Sequence, residues 1–373
     1  MAHTETQVSP GLWALAWRRL RTDHVAMLAL AIVVAFLVAL VLSASGLIAA
    51  NWADEVGVNY APPTFVGAQS AAERGASPIE PGAVEAPPPE NPLDPLKDVL
   101  RELRASAGTA QPVIVNDYGI PDPIGPELAE VRAELAKGGA AKAAVARKET
   151  LPFGADKWGH DILLKTIKGA ETSIVVGLVS ALLATFLGTV FGAFSGYFGG
   201  KVDDLFNWFY SIFTSVPYLL LILAVAAVLQ QKGVVTIVLI LGLTGWTGTY
   251  RLIRAEYLKH KNREYVWAAD AIGASHMRKM FTHIFPNVSH VALVQVSILV
   301  VGFIKSEVIL SFLGFGVPVG TVSWGSMLNE AQNELILGKW WQLAAASVAM
   351  AILVTAFSLF TDALRDALDP KLK

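Results

Sequence analysis

The chain has 373 residues, 54% of them hydrophobic and 16% charged, against about 25% charged in an ordinary soluble domain. A formal net charge of −2 leaves no electrostatic footprint for nucleic acid, and the absence of cysteine excludes disulfides and thiolate metal sites. The missing charge is concentrated into long apolar runs. The fold class is therefore an all-α polytopic membrane protein with about six transmembrane helices, each crossing taking roughly 20 residues.

Arg18, Arg19 and Arg21 come first, and residues 25–48 follow without a charge. That run is long enough to span, and longer than the roughly 7–15 apolar residues of a signal-peptide core, so it reads as an uncleaved first helix. The arginines place its amino end in the cytoplasm. Residues 51–152 are different material: prolines from Pro78 to Pro95, interleaved with acids, make an extended tether. Two short amphipathic helices are expected within it. One runs from Asp94-Pro95 through Leu96, Leu100 and Leu103, the other from Pro126 through Leu128, Val131 and Leu135. The segment reads as a solvated extracytoplasmic insertion, with a docking surface as the alternative. The chain thus divides into 1–50, 51–152 and a core over 153–373.

At the start of that core, His160 and Asp161 have no further ligands at a metal-binding spacing, so they read as a local turn. Residues 172–200 carry Gly188, Gly192, Gly196 and Gly200 at four-residue spacing, which stacks small residues on one helix face for close packing. The next crossing, 205–231, contains Pro217, which should kink it. Residues 234–250 return the chain to a loop, 251–287, holding Arg251, Arg254, Lys259, Lys261, Arg263, Arg278 and Lys279. The short loops of the opposite side offer Lys232 and Lys339, so the basic loop is assigned to the cytoplasm.

Within that loop, residues 264–287 read EYVWAADAIGASHMRKMFTHIFPN. Val266, Ala268, Ala269 and Ile272 are placed on one side of a short helix, which Gly273 ends with a bend. A second helix over 275–285 groups Met277, Phe281, Ile284 and Phe285, with Arg278 and Lys279 opposite. Pro286 and Asn287 are read as closing it and capping the next. The fifth crossing, 288–317, contains Lys305 and Glu307, ionisable residues that are costly at membrane depth and suggest a translocation path. Two residues apart, they do not face each other. An outer loop with Glu330 and Glu334 leads to the sixth crossing, 340–360. Six crossings put both termini in the cytoplasm.

The 264–287 stretch resembles the EAA loop of permease subunits of ABC importers, roughly EYVxAAxxxGAS followed by IFxxHIxPN. Glu264, Tyr265, Val266, Ala268, Ala269, Gly273, Ala274, His283, Pro286 and Asn287 match, while Trp267 stands where the family usually has the Glu of the triplet. Residues 153–174 are similar to a GTDxxGRD…YGARISL signature through Gly154, Asp156, Gly159, Asp161, Gly169, Ala170 and Ser173. The amino-terminal segment and the DALRDALDPKLK tail resemble those of C-type subunits in the oligopeptide/dipeptide (peptide/nickel) family. The resemblance implies a type I permease fold in the bacterial inner membrane. It also implies a B-type permease partner, two ABC ATPase subunits binding ATP and Mg, and an extracytoplasmic substrate-binding protein. The 264–287 loop would couple to the ATPases, and Glu307 would match an acid of the family's AExxLSFLGxG stretch.

No GxxxxGK[ST] sequence is present, so the chain itself holds no phosphate-cradling loop, and HExxH and GxSxG are absent as well. No catalytic or metal residue is assigned, and no cofactor in this chain. The expected function is a permease for peptides. A permease for another solute such as a nickel chelate is the nearer alternative; a stand-alone carrier or a membrane scaffold is the alternative of a different class.

Overall fold

The computed structural model describes residues 12–67, 147–318 and 320–368. Met1–Ala68 and Lys148–Lys373 make up one compact unit. The short helices expected near Asp94 and Pro126 lie outside the described residues.

The chain enters through α1 (Leu12–Thr22) and α2 (His24–Ala44), separated by Asp23, whose carboxylate caps α2 by accepting from the backbone N–H groups of Val25 and Ala26. The segment after α2 closes on the approach to the next helix through isolated bridges, Gly57 with Lys148, Pro63 with Leu151 and Glu55 with His160. The ends of the sequence-defined insertion therefore belong to the same compact unit as the helices.

Helix α3 (Ile162–Phe198) is the mast of the fold. Asp161 caps it through the Leu163 and Leu164 N–H groups. Its buried face is largely Gly, Ala and Ser, including Gly169, Ala170, Ser173, Gly177, Ala181, Ala184, Gly188 and Gly192. Small side chains let neighbouring backbones come close, and α3 is the element against which most of the later helices pack.

Next come α4 (Gly200–Thr214) and α5 (Tyr218–Leu229), which meet at 83°. The expected kink at Pro217 is thus a full break. Lacking an N–H, Pro217 leaves the helical ladder and takes the N-cap position of α5. Helix α4 is held in place by its side chains: Phe209 stacks on Trp246 with centroids 5.4 Å apart, and Asp203 accepts two bonds from Arg254, each 2.6 Å. α6 (Val234–Thr244) and α7 (Thr247–His260) run on as one apolar stretch.

α8 (Glu264–Ala271) and the single turn α9 (His276–Arg278) form the basic loop. A π-helical turn, Lys279–Ile284, then leads directly into α10 (Phe285–Phe312). α11 (Trp324–Ile336) and α12 (Trp341–Leu368) complete the chain, α12 packing on α1 and α2. Among the described residues five stretches are long and apolar enough to cross a membrane, His24–Ala44, Ile162–Phe198, Val234–His260, His276–Phe312 and Trp341–Leu368; the bent α4–α5 pair makes a sixth if it is one span.

Candidate coupling loop and membrane joints

Helix α8 ends in a Schellman motif. Gly273, at φ +80°, donates its N–H to the Asp270 carbonyl, and Ala274 donates to the Ala269 carbonyl at 3.0 Å. Ser275 restarts the helix, its hydroxyl accepting from the Arg278 N–H. Asp270 and Lys279 then strap the two sides of the bend together with an ion pair. The Lys279 bond holds the Asp270 carboxyl below its ordinary range.

The faces of this loop differ from the sequence expectation. Val266 and Ala269 are buried as expected, but Ala268 is exposed and Ile272 is 82% exposed. Ala268, two residues from Val266, does not share its face, and α8 stops at Ala271, before Ile272 can continue the stripe. In the second piece Met280 and Ile284 are buried, while Met277 and Phe281 are exposed and Lys279 turns inward to Asp270. The π turn causes this, because its extra residue rotates the side chains by about one position relative to a 3.6-residue repeat. Pro286 does not close a helix either. It lies in the first turn of α10, directly after the π turn, and the Asn287 side chain donates to the His283 carbonyl instead of capping. What remains outside is a ridge of Glu264, Tyr265, Trp267, Ala268 and Ile272, with Trp267 62% exposed.

Beneath the loop, the buried Tyr257 hydroxyl donates to the Met280 carbonyl at 3.1 Å. Gly188, Gly192 and Gly196 face α7. A Cβ on Gly192 would lie 2.8 Å from the Tyr250 carbonyl oxygen, and one on Gly196 2.6 Å from that of Arg254. Gly200 takes no part, having nothing within 4 Å of a Cβ.

At the far end of α10, Glu307 is fully buried and accepts from the hydroxyls of Ser173 on α3 and Ser311 on its own helix, each at 2.7 Å. Ser173 also accepts from the Trp324 N–H, so α3, α10 and α11 meet at one polar joint. Glu307 thus sits inside that joint, 0% exposed. Lys305 points elsewhere and is exposed.

A second cluster at this end escaped the sequence reading. Lys165, 3% exposed, donates to Asp156 at 2.7 Å and to Glu330 at 2.6 Å. His160 Nδ1 lies 2.9 Å from the same Asp156 carboxylate, closing the turn expected there. Gln342 on α12 donates to Glu330 at 3.2 Å. Burial opposes the charged form of Asp156, yet the Lys165 ammonium and the surrounding donors hold its carboxyl below its ordinary 3.8. Glu334, one turn beyond Glu330, is 1% exposed with no well-formed hydrogen-bond partner among the described residues. Burial pushes its carboxyl up to about 7; Lys165 works against the shift, and Asp156 and Glu330 add to it. The available signal was a lysine in the first turn of an otherwise largely apolar helix, which demands a partner without saying which one.

Residues 188–373, containing the loop and Glu307, match the model of binding-protein-dependent transport system inner membrane components. Residues 11–63 match the N-terminal transmembrane domain of oligopeptide transport permease C. Over 221 residues the chain is 36% identical to the dipeptide transport system permease protein DppC of Bacillus subtilis (strain 168), covering 59% of this chain and 69% of that protein. The chain belongs to this permease family.

Two further relatives of this permease are oligopeptide transport system permease proteins OppC. That of Bacillus subtilis (strain 168) is 38% identical over 221 residues, and that of Escherichia coli (strain K12) 37% identical over 219. Each alignment covers 59% of this chain and 72% of the relative. The permease is a multi-pass inner-membrane protein, and its family is that of the membrane components of such transporters.

Proposed function

We propose that this permease is the C-type transmembrane subunit of an ATP-driven importer of peptides. The observation that carries the reading is the exposed α8 ridge mounted on a helix that runs into the membrane. His276–Phe312 is one continuous stretch of 37 residues, so a load on the loop is delivered to the Glu307 joint at the other end. The peptide substrate is supported by the relatives, which are named as dipeptide and oligopeptide permeases.

In this reading the basic loop faces the cytoplasm and both termini lie there. Two partner ATPases bind ATP and Mg and seat the α8 ridge, through Glu264, Tyr265, Ala268 and the Gly273 bend. A B-type permease completes the path, and a substrate-binding protein delivers peptide from outside. Closure of the ATPases pushes on α8 and tilts α10 against α3, biasing the bundle between two states. Lys305, on the exposed side of α10, is the candidate wall of the path.

The test is co-purification of the tagged permease with its native neighbours in mild detergent, paired with peptide uptake. Proline at Gly273 cannot adopt φ +80° or donate the N–H that closes the turn. Gly273→Pro should therefore insert normally yet lose ATPase subunits and uptake together. Uptake at the normal rate by that variant would sink the coupling role.

A further inference from the structure

At the loop end of the bundle, α7, α10 and the last turn of α12 line a half-open cavity of about 1010 Å³. Its basic groups are Lys259, His260, Arg263, His290 and Arg365. The acid among its lining residues, Glu256, is engaged by Lys259 at 3.0 Å and approached by His260 at 3.5 Å. Arg263 and Arg365 are exposed and form no ion pair among the described residues.

The wall is graded along its depth. Helix α7 runs toward the loop and α10 runs away from it, so the cations of both sit at the loop end. Leu252, Val294 and Ile298 line the deeper part. From Asn287 to Ile298 the α10 wall rises about 16 Å at 1.5 Å per residue. An anion alone would use the rim and leave that apolar depth unfilled. A molecule with a negative head and hydrocarbon behind it would use both.

We propose that this cavity binds an anionic phospholipid of the leaflet on the loop side, its phosphate between Arg263 and Arg365 and its chains along Leu252, Val294 and Ile298. The assignment of that leaflet to the cytoplasm rests on the orientation proposed above; the lipid chemistry does not.

The test uses the full chain, delipidated in detergent. Native mass spectrometry and thermal melting follow additions of phosphatidylglycerol, phosphatidylcholine or inorganic phosphate, each as a separate arm. Phosphatidylglycerol should bind about tenfold more tightly than phosphatidylcholine and raise the melting temperature. R263Q/R365Q, at exposed positions, should fold but lose the preference, and R263K/R365K should keep most of it. Equal binding of the two lipids, or a preference surviving R263Q/R365Q, would overturn the proposal. Stabilisation reproduced by inorganic phosphate alone would do the same, reducing the cavity to a free-anion site. Ile298→Cys in the assembled transporter supplies the last arm. Its cross-linking to another subunit would show the cavity filled by protein, whereas retention of phosphatidylglycerol without cross-linking supports the lipid.

Discussion

At the scale of single residues, Gly273 and Glu334 carry the sharpest consequences. A Cβ on Gly273 would meet nothing within 4 Å, so its constraint is the backbone alone. Gly273→Ala should cost about 1 kcal/mol through the left-handed conformation and leave ATPase recovery near normal, in contrast to the proline variant. Denaturant melts of both would separate strain from loss of the turn. Glu334 gives a pH signature. Its carboxyl is raised from 4.5 to about 7, so the folded state binds the proton more tightly. Stability from this group is full below pH 4.5 and is lost as pH rises through 7. Glu334→Gln should remove that decline and stabilise the purified protein by roughly 2 kcal/mol at pH 8. Parallel melting curves for wild type and variant from pH 5 to 8 would refute the assignment. Asp156 acts with the opposite sign: its contribution is present above pH 3.8 and lost on further acidification.

At the scale of elements, the α3–α7 contact is where sequence spacing becomes packing. Every fourth residue over Gly188, Gly192 and Gly196 is free of side chain, and α7 backbone fills the space. Gly192→Leu would drive a side chain into the Tyr250 carbonyl, 2.8 Å from where its Cβ must sit. Overpacking of this kind costs about 1–3 kcal/mol. The variant should show reduced folded yield in size-exclusion chromatography, with Gly302→Leu, at a helical position where a Cβ would meet nothing within 4 Å, near normal as the control. The spacing identified a close-packing face, but not its partner, and it included Gly200 wrongly because that residue lies beyond the end of α3. Pro217 was legible as an interruption, yet the 83° turn depends on what holds α4 aside, the Trp246 aromatic cluster and the Asp203–Arg254 pair.

At the scale of the whole molecule, the helices have two distinct ends. One holds the α8 ridge; the other holds the Lys165 cluster and the Glu307 joint. The absence of native cysteine makes the orientation directly measurable. Ile272 is 82% exposed and Ile336 is 83% exposed, so cysteines there should react freely. A membrane-impermeant maleimide should label Ile272→Cys from the cytoplasmic side only and Ile336→Cys from the outer side only. Labelling of both from one side would rule out the proposed crossing pattern.

The apolar runs, the basic loop and the order of crossings could be read from the chain alone, because hydrophobic length and charge bias act locally along the sequence. The Gly273 bend was legible for the same reason, since positive φ is a property of the residue. Which face of the 264–287 loop is buried was not, because the π turn before Pro286 breaks the 3.6-residue repeat on which the reading depends. The partners of Lys165 were also beyond reach. Glu330 and Gln342 lie more than 160 residues away in sequence, and only the packing of α11 and α12 beside α3 brings them to one ammonium. Tertiary structure likewise decided the surroundings of Glu307, because Ser173, 134 residues away in sequence, reaches it only through the packing of α3 beside α10.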